Sequence, residues 1–398
     1  MSPRPNLSDV DFDRAPFVVI WETTQACDLA CLHCRACAVP QRDPRELSTD
    51  EAKRLVDDIC RFGRPLLVLT GGDPLKRPDA VELVRYGVDA GLRVALTPSG
   101  TPLMTPHVLQ ELHDAGMSRL AVSLDGATAA QHDAFRGVAG SFDWTIRMLE
   151  TARSLGLSTQ INTTISRHNV HDLENLITLM TGLGIALWSV FFIVPVGRAR
   201  PGDLATADEF ESVFHRLYDL SKSAPFDIKS TAAPHYRRVV MQRQVAERRA
   251  GARDGAPAPL TAGVGFSLGD GVGRAAKGVN DGDGFLFVSH RGDIYPSGFL
   301  PKSAGNVRTE DLVDVYRTHD LFRSLRDRDQ LKGKCGVCEF RSVCGGSRAR
   351  AYAMTGDPLE ADPLCAYIPP AWQRSHSVIP SERSESRNLH LPTLPTAS

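Results

Sequence analysis

Six consecutive βα units, forming either a six-strand partial barrel or a doubly wound sheet, make up the α/β fold that this sequence predicts. Three observations lead there. Between residues 16 and 200, strand-like apolar runs alternate with amphipathic helical patterns. The apolar runs are nearly continuous, as in parallel strands buried on both faces. Each run ends in small or polar residues, and folds of this kind carry their chemistry at the C-terminal ends of the strands.

The elements follow in order. "FVVIWETT" (17–24) is the first strand, and a cysteine-rich loop follows it. "STDEAKRLVDDICRF" (48–62) is a helix whose start is marked by a capping box, Ser48 with Glu51. "PLLVLTGG" (65–72), "RVALTPSG" (93–100), "RLAVSLDG" (119–126), "STQINTTIS" (158–166) and "LWSVFFIVPVG" (187–197) supply the other five strands. The helices between them are 78–91, 105–116, 141–156 and 169–184, each closing at a glycine as helices often do. Beyond residue 200 the rhythm changes. A helical stretch (206–221) leads to the basic segment "PHYRRVVMQRQVAERRAGAR" and then to a Gly/Ala-rich loop or linker (251–283). "GFLFVSHRGDIYPSGFLP" (284–301) reads as a hairpin turning at "HRGD". The expected organisation is an N-terminal segment (1–15), the βα body (16–200), a helical and basic connecting region (201–283), a cysteine-rich extension (284–373) and a disordered polar tail (374–398).

Composition narrows the class. The 398 residues are 42% hydrophobic, enough for a large core and more than one domain. A formal net charge of -1 argues against a nucleic-acid partner. No apolar run is long enough to cross a bilayer, and "MSPRPNLSDVDFDRAP" is no signal segment, so a cytoplasmic protein without membrane association is expected. Nine cysteines, an odd number at tight spacing, point to metal rather than to disulfides.

Cys27, Cys31 and Cys34 have the spacing C-x3-C-x2-C directly after the first strand. Three thiolates there can ligate three irons of a [4Fe–4S] cube and leave the fourth open to a small molecule. Zinc is the rival on spacing alone, with Cys37 as a possible fourth ligand. In the second group, Cys335, Cys338 and Cys344 give C-x2-C-x5-C, with Cys365 further on. Four cysteines would saturate a [4Fe–4S] cluster, and zinc stays open here too.

With these motifs, residues 16 to 200 resemble the radical S-adenosylmethionine (SAM) enzymes. The cysteine triplet matches their hallmark, and "TGGDP" (70–74) is similar to their GGEP-type motif. The resemblance implies a partial (βα)6 TIM-type barrel whose cluster and SAM are held by Cys27, Cys31 and Cys34. It places Gly71, Gly72, Asp73 and Pro74 at the methionine amino group. Ser99, Ser123, Asp125 and Asn162 are implied as further cofactor contacts, the last three for ribose and carboxylate. "PVGRA" (195–199), with Pro195, is similar to the adenine-side loop, and Arg136 in "FRG" is implied for a carboxylate of SAM or of the substrate. One departure is His33, which stands where an aromatic residue is common. Cys37 is read as a spare thiol and Cys60 as core.

The second group resembles the distal auxiliary [4Fe–4S] cluster of the SPASM extension. Ser297 stands where that family usually has a cysteine for the proximal cluster, so a single auxiliary cluster is expected. "HCRA", "GGDPLKRPD", "HDAFRGVAGSF" and "GFLP" most resemble the haem-biosynthesis branch, the iron-coproporphyrin decarboxylases and haem d1 maturases. The implied activity is reductive cleavage of SAM to a 5′-deoxyadenosyl radical that abstracts hydrogen from a tetrapyrrole. An external one-electron donor such as a flavodoxin or ferredoxin would serve it. For porphyrin propionates the basic segment offers Arg237, Arg238, Arg243, Arg248 and Arg249, and a solvated helix face is the competing reading. Maturation of a ribosomal peptide is the second reading of function. The barrel starts too early for the N-terminal peptide-recognition domain that such maturases often carry, which favours a small molecule. A non-catalytic zinc-stabilised scaffold is the reading from another class, and "TGGDP" and "SLDG" argue against it.

Overall fold

The computed structural model describes residues 10–251 and 278–376. Seven strands run parallel and side by side in chain order: β1 (Val18–Glu22), β2 (Leu66–Thr70), β3 (Arg93–Leu96), β4 (Arg119–Ser123), β5 (Thr159–Ile165), β6 (Leu187–Phe192) and β7 (Asp227–Thr231). On the far side of β1 the sheet continues with β8 (Phe285–Val288), parallel to it. The antiparallel strands β9 (Asp293–Tyr295) and β10 (Gly305–Asn306) follow. The ten-stranded sheet begins at β10 and ends at β7 without closing. This is the expected partial barrel, extended by a seventh parallel strand and by the hairpin.

Short helices the sequence did not mark lie beyond β10, from Leu312–Thr318 to Pro370–His376; up to residue 251 the helices are those the sequence marks, with one addition. They are α1 (Thr49–Cys60), α2 (Ala80–Asp89), α3 (Pro106–Asp114), α4 (Ala129–Arg136), α5 (Ser141–Ser154), α6 (Leu173–Gly182), α7 (Ala207–Ser221) and α8 (His235–Arg249). The capping box at α1 is formed: Ser48 Oγ accepts from the Glu51 amide, and the Glu51 carboxylate accepts from the Ser48 amide. Helix α4 has weak apolar periodicity in "AAQHDAFR", and only its ends betray it. Thr128 caps it, and Gly137 stops it at φ +70°. Strand β7 escapes sequence reading because "DIKST" is short and polar. Its pairing with β6, from Leu187↔Asp227 to Phe191↔Thr231, makes it a strand.

Alternation in β5 sets two faces. Ile161, Thr163 and Ile165 are buried, whereas Gln160, Asn162 and Thr164 on the other face are half-exposed. Trp188 is fully buried behind β5 and donates from Nε1 to Thr163 Oγ1 at 2.8 Å. Among the described residues no helix is long and apolar enough to cross a membrane. The Gly/Ala-rich stretch falls mostly outside the described residues. The polar tail does so after a short helix, Pro370–His376.

Candidate active site

The loop after β1 is pinned by its own backbone to the strand ends around it. Cys27 N–H donates to Val39 O at 2.8 Å, Ala30 N–H to Arg136 O at 3.0 Å, and Leu32 N–H to Phe135 O at 3.0 Å. The α4 end thus clamps the loop. Cys27 and Cys31 are buried, and Cys34 packs half-buried against them. Each sulfur has its own N–H donor: Leu29 N to Cys27 Sγ at 3.3 Å, Arg136 Nη1 to Cys31 Sγ at 3.7 Å, and Ala38 N to Cys34 Sγ at 3.4 Å. Such donors stabilise thiolates and tune iron–sulfur groups. Burial, with Asp73 and Cys31 nearby, pushes the Cys27 thiol up to about 11, so a metal would have to displace its proton. Three sulfurs, each with a donor, on one rigid loop fit a cluster bound through three irons.

Glycine is required beside this loop. A Cβ on Gly71 would lie 2.5 Å from Thr24 O, and one on Gly72 would lie 2.6 Å from Gln25 O. Gly197 (φ +66°) has the same constraint against the carbonyls of Cys34 and Arg35. These glycines therefore let the strand ends close onto the cysteine loop, a second reason for them beside access to a ligand.

Next to the loop lies a hollow of about 140 Å³ lined by Gly71, Gly72, Ser99, Ser123, His132 and Arg136, among others. Five of these six are sequence-predicted. Ser99 Oγ donates to Gly72 O at 2.9 Å and lies 3.2 Å from Cys27 Sγ. Asp73 sits under the wall, fully buried, accepting from Leu75 N at 3.1 Å and Thr101 Oγ1 at 2.8 Å. Pro74 opens the short turn that Asp73 caps. Asn162 lies within β5 and not at its end, because β5 runs on to Ile165. Register nevertheless brings it level with Ser123 and Ser189. Pro195 is half-buried on the segment after β6.

Asp125 and Arg136 are paired with one another. Asp125 also accepts from Thr164 N at 2.7 Å. Burial would raise the Asp125 carboxyl, but the Arg136 guanidinium overrides it and holds it below its ordinary value. Asp125→Asn should therefore destabilise the fold by about 3–5 kcal/mol, because it leaves the guanidinium uncompensated. The pair's contribution is fully present above the ordinary carboxylate pKa of about 3.9 and fades as pH falls toward the lower native value. Urea melts of wild type and variant at pH 7 and pH 3 check both points: the difference should be large at the first and shrink at the second.

His33 stacks on Phe135 with centroids 4.4 Å apart, and burial depresses its pKa to about 4, so the ring is a neutral aromatic wall. His132, missed by sequence reasoning although it lies in the quoted "HDAFRG", accepts from Asp125 N at 3.1 Å through Nδ1 and meets Ser141 Oγ at 3.3 Å. Cys37, at φ +49°, is exposed, and Cys60 packs partly buried against the core.

The second cysteine group also converges. Cys335, Cys338, Cys344 and Cys365 line one cavity with His235, Arg238, Lys334, Arg341 and Tyr367. Gly346 N donates to Cys344 Sγ at 3.4 Å and Arg348 Nη2 to Cys335 Sγ at 3.8 Å. Burial pushes the Cys344 thiol up to about 12 and that of Cys365 to about 11. Among the described residues, no three His, Cys, Asp or Glu side chains gather around a point as one metal ion requires. The four thiols line one hollow together, a donor set that matches the four sulfurs a [4Fe–4S] cluster takes.

Three of the five arginines named in the basic segment are engaged by protein groups, whereas Arg248 and Arg249 are exposed, as a solvated helix face would have them. Arg238 is buried and ion-paired to Glu211, with its guanidinium 4.9 Å above the Tyr367 ring. Arg237 donates to Val279 O and Val343 O, and Arg243 pairs with Asp219 at 2.5 Å. Arg237 and Arg238 hold the cysteine-rich extension to α8, and Arg243 holds α8 to α7, so these three are not free for propionates. A third network ties the extension to the barrel: Glu22 accepts from Arg35 at 2.6 Å and meets His290 Nδ1 at 2.8 Å.

Comparison with known proteins bears on this geometry. Residues 21–180 match the family model described as the radical SAM superfamily. The chain belongs to that superfamily and is an enzyme of it, using SAM and a [4Fe–4S] cluster. Over 357 residues it is 42% identical to the "AdoMet-dependent heme synthase" of Methanosarcina barkeri, covering 89% of this chain and 98% of that protein. It is 32% identical over 406 residues to the "Mycofactocin maturase MftC" of Mycobacterium tuberculosis, covering 98% and 91%. Among solved structures, Streptococcus suis SuiB bound to S-adenosylmethionine shares the fold with a TM-score of 0.66 at 15% identity, over 89% of this chain and 78% of that one.

Proposed function

We propose that this enzyme acts on a tetrapyrrole of the iron-coproporphyrin kind and decarboxylates propionate side chains. The observation that carries this reading is the 42% identity to a haem synthase over nearly its whole length. The lower identity to MftC makes a peptide substrate the second reading. In this proposal residues 16–200 form the radical-generating barrel, residues 201–283 connect, and residues 284–373 hold an auxiliary [4Fe–4S] cluster on Cys335, Cys338, Cys344 and Cys365. Cys27, Cys31 and Cys34 hold the SAM cluster, and the hollow beside them takes SAM. Bound there and reduced by one electron, SAM supplies the 5′-deoxyadenosyl radical that abstracts hydrogen. The chain's own part is placement and exclusion of water. The glycine-tight loop keeps the sulfurs fixed, and Ser99 and Ser123 offer hydroxyls to the ligand. Each propionate would lose a hydrogen atom to the 5′-deoxyadenosyl radical, carbon dioxide, and one electron to an external oxidised acceptor by way of the auxiliary cluster, and would become a vinyl group. A flavodoxin or ferredoxin in the cytoplasm is the proposed source of reducing electrons.

The test is 5′-deoxyadenosine formation by anaerobically reconstituted, dithionite-reduced protein with and without iron-coproporphyrin III. Stimulation by the porphyrin, with release of carbon dioxide, is expected. Cleavage indifferent to the porphyrin overturns the tetrapyrrole reading and moves the peptide reading forward.

A further inference from the structure

We infer that Arg238 is a positioning and tuning residue of the auxiliary cluster, raising its reduction potential through a buried positive charge. The inference rests on the auxiliary-cluster reading above. Arg238 is buried and lines the hollow of the four cysteines. Its guanidinium is held by other groups. Nη1 donates to Glu211 Oε1 and to Gln242 Oε1, each at 2.8 Å, and Nη2 donates to Glu211 Oε2 at 2.5 Å. The Tyr367 ring lies 4.9 Å from it. Nε–H, by contrast, is buried and meets no acceptor among the described residues. Arg136, Arg198, Arg291 and Arg328 also carry a buried nitrogen without a partner, but none of them lines this hollow.

Charge decides what such a neighbour does. A [4Fe–4S] cluster on four thiolates is an anion and gains a further negative charge on reduction. A buried cation beside it therefore stabilises the reduced state more than the oxidised one. Burial raises the thiols of Cys338, Cys344 and Cys365, and the Arg238 charge acts against that rise at all three. The fourth, Cys335, accepts from Arg348 Nη2 at 3.8 Å. Of the carboxylates nearby, Asp362 is paired with Arg350, and Glu339 is exposed, where solvent screens it. Glu211 offsets part of the Arg238 charge, which makes it a second handle for a test. In the decarboxylation proposed above, the substrate radical gives up one electron and the cluster takes it. A raised potential favours that direction of transfer.

Full-length protein carrying Cys27→Ala, Cys31→Ala and Cys34→Ala, reconstituted anaerobically, would hold the second cluster alone. Its midpoint potential would be read by electron paramagnetic resonance in a redox titration. The same titration would be run with Arg238→Gln, Arg238→Lys or Glu211→Gln added, and iron and zinc would be counted on each sample. Loss of the charge-assisted contact is expected to lower the equilibrium constant for reduction on the order of tenfold in Arg238→Gln. For one electron that is about 59 mV toward negative potential. Lysine should restore part of the shift, and Glu211→Gln should move the potential the other way. An unmoved potential in Arg238→Gln of normal iron content overturns the inference and leaves the cluster standing. Should Arg238→Gln lose its iron, Glu211→Gln decides, and an unmoved or more negative potential there overturns it. Zinc without iron at this site removes the cluster reading and the inference together.

Discussion

Cys31→Ala is expected to abolish reductive cleavage of SAM. Cys31 is the central thiol of the loop, buried, with Arg136 Nη1 3.7 Å from its sulfur. Its loss takes away one of only three sulfurs, so the cluster that remains cannot both hold together and keep an iron open. The fold should survive, because the loop is held by backbone bonds from Cys27, Ala30 and Leu32 that alanine does not touch. The measurement is 5′-deoxyadenosine formation under dithionite, alongside iron content and circular dichroism. Retained cleavage at normal rate would mean that this loop is not where SAM is activated.

Cys338→Ala is the second large effect. Cys335 and Cys344 are buried, whereas Cys338 and Cys365 are half-buried, and of these two Cys338 lies within the tight C-x2-C-x5-C run. Its replacement removes a sulfur at little cost in packing. Two clusters correspond to about eight irons per chain, and the variant should lose about half of them. SAM cleavage should persist while product formation falls steeply, so that 5′-deoxyadenosine and carbon dioxide no longer keep step. Full coupling in a protein lacking half its iron would strip the second site of any part in turnover. Recovery of one zinc and about four irons from wild type would replace the auxiliary cluster with a structural zinc.

The two predictions differ because the sites are built differently, and that contrast was only partly legible in the residues. The spacing of both cysteine groups can be read directly, as can the glycines of "TGGDP" and the polar strand ends at Ser99 and Ser123. These are local patterns, and neighbours along the chain dictate them. The ionic partners were not legible. Asp125 was singled out as a ligand contact, and its pairing with Arg136 could not be read from the residues. The arginines of α8 looked like a free cationic face, yet Arg238 turns inward to Glu211 on α7, next to the second cysteine cavity. A charge run has one appearance in sequence whether it faces water or a buried carboxylate brought from a distant element.

What the sequence determined by itself is the βα rhythm, the order of motifs along successive strand ends, and the two sulfur groups. Apolar periodicity, caps and glycines act over a few residues, so each element follows from its own letters. Tertiary structure alone decided which elements meet. It placed β8 beside β1, so that His290 reaches Glu22 and the C-terminal extension becomes an edge of the barrel sheet. It set Asn162 level with Ser123 through the β4–β5 register. It also turned Arg238 of α8 inward between Glu211 and the Tyr367 ring. The physical reason is common to all three. Strand order, register and the pairing of buried charges are settled by which arrangement satisfies every backbone and ionic group at once, and no stretch of chain carries that information alone.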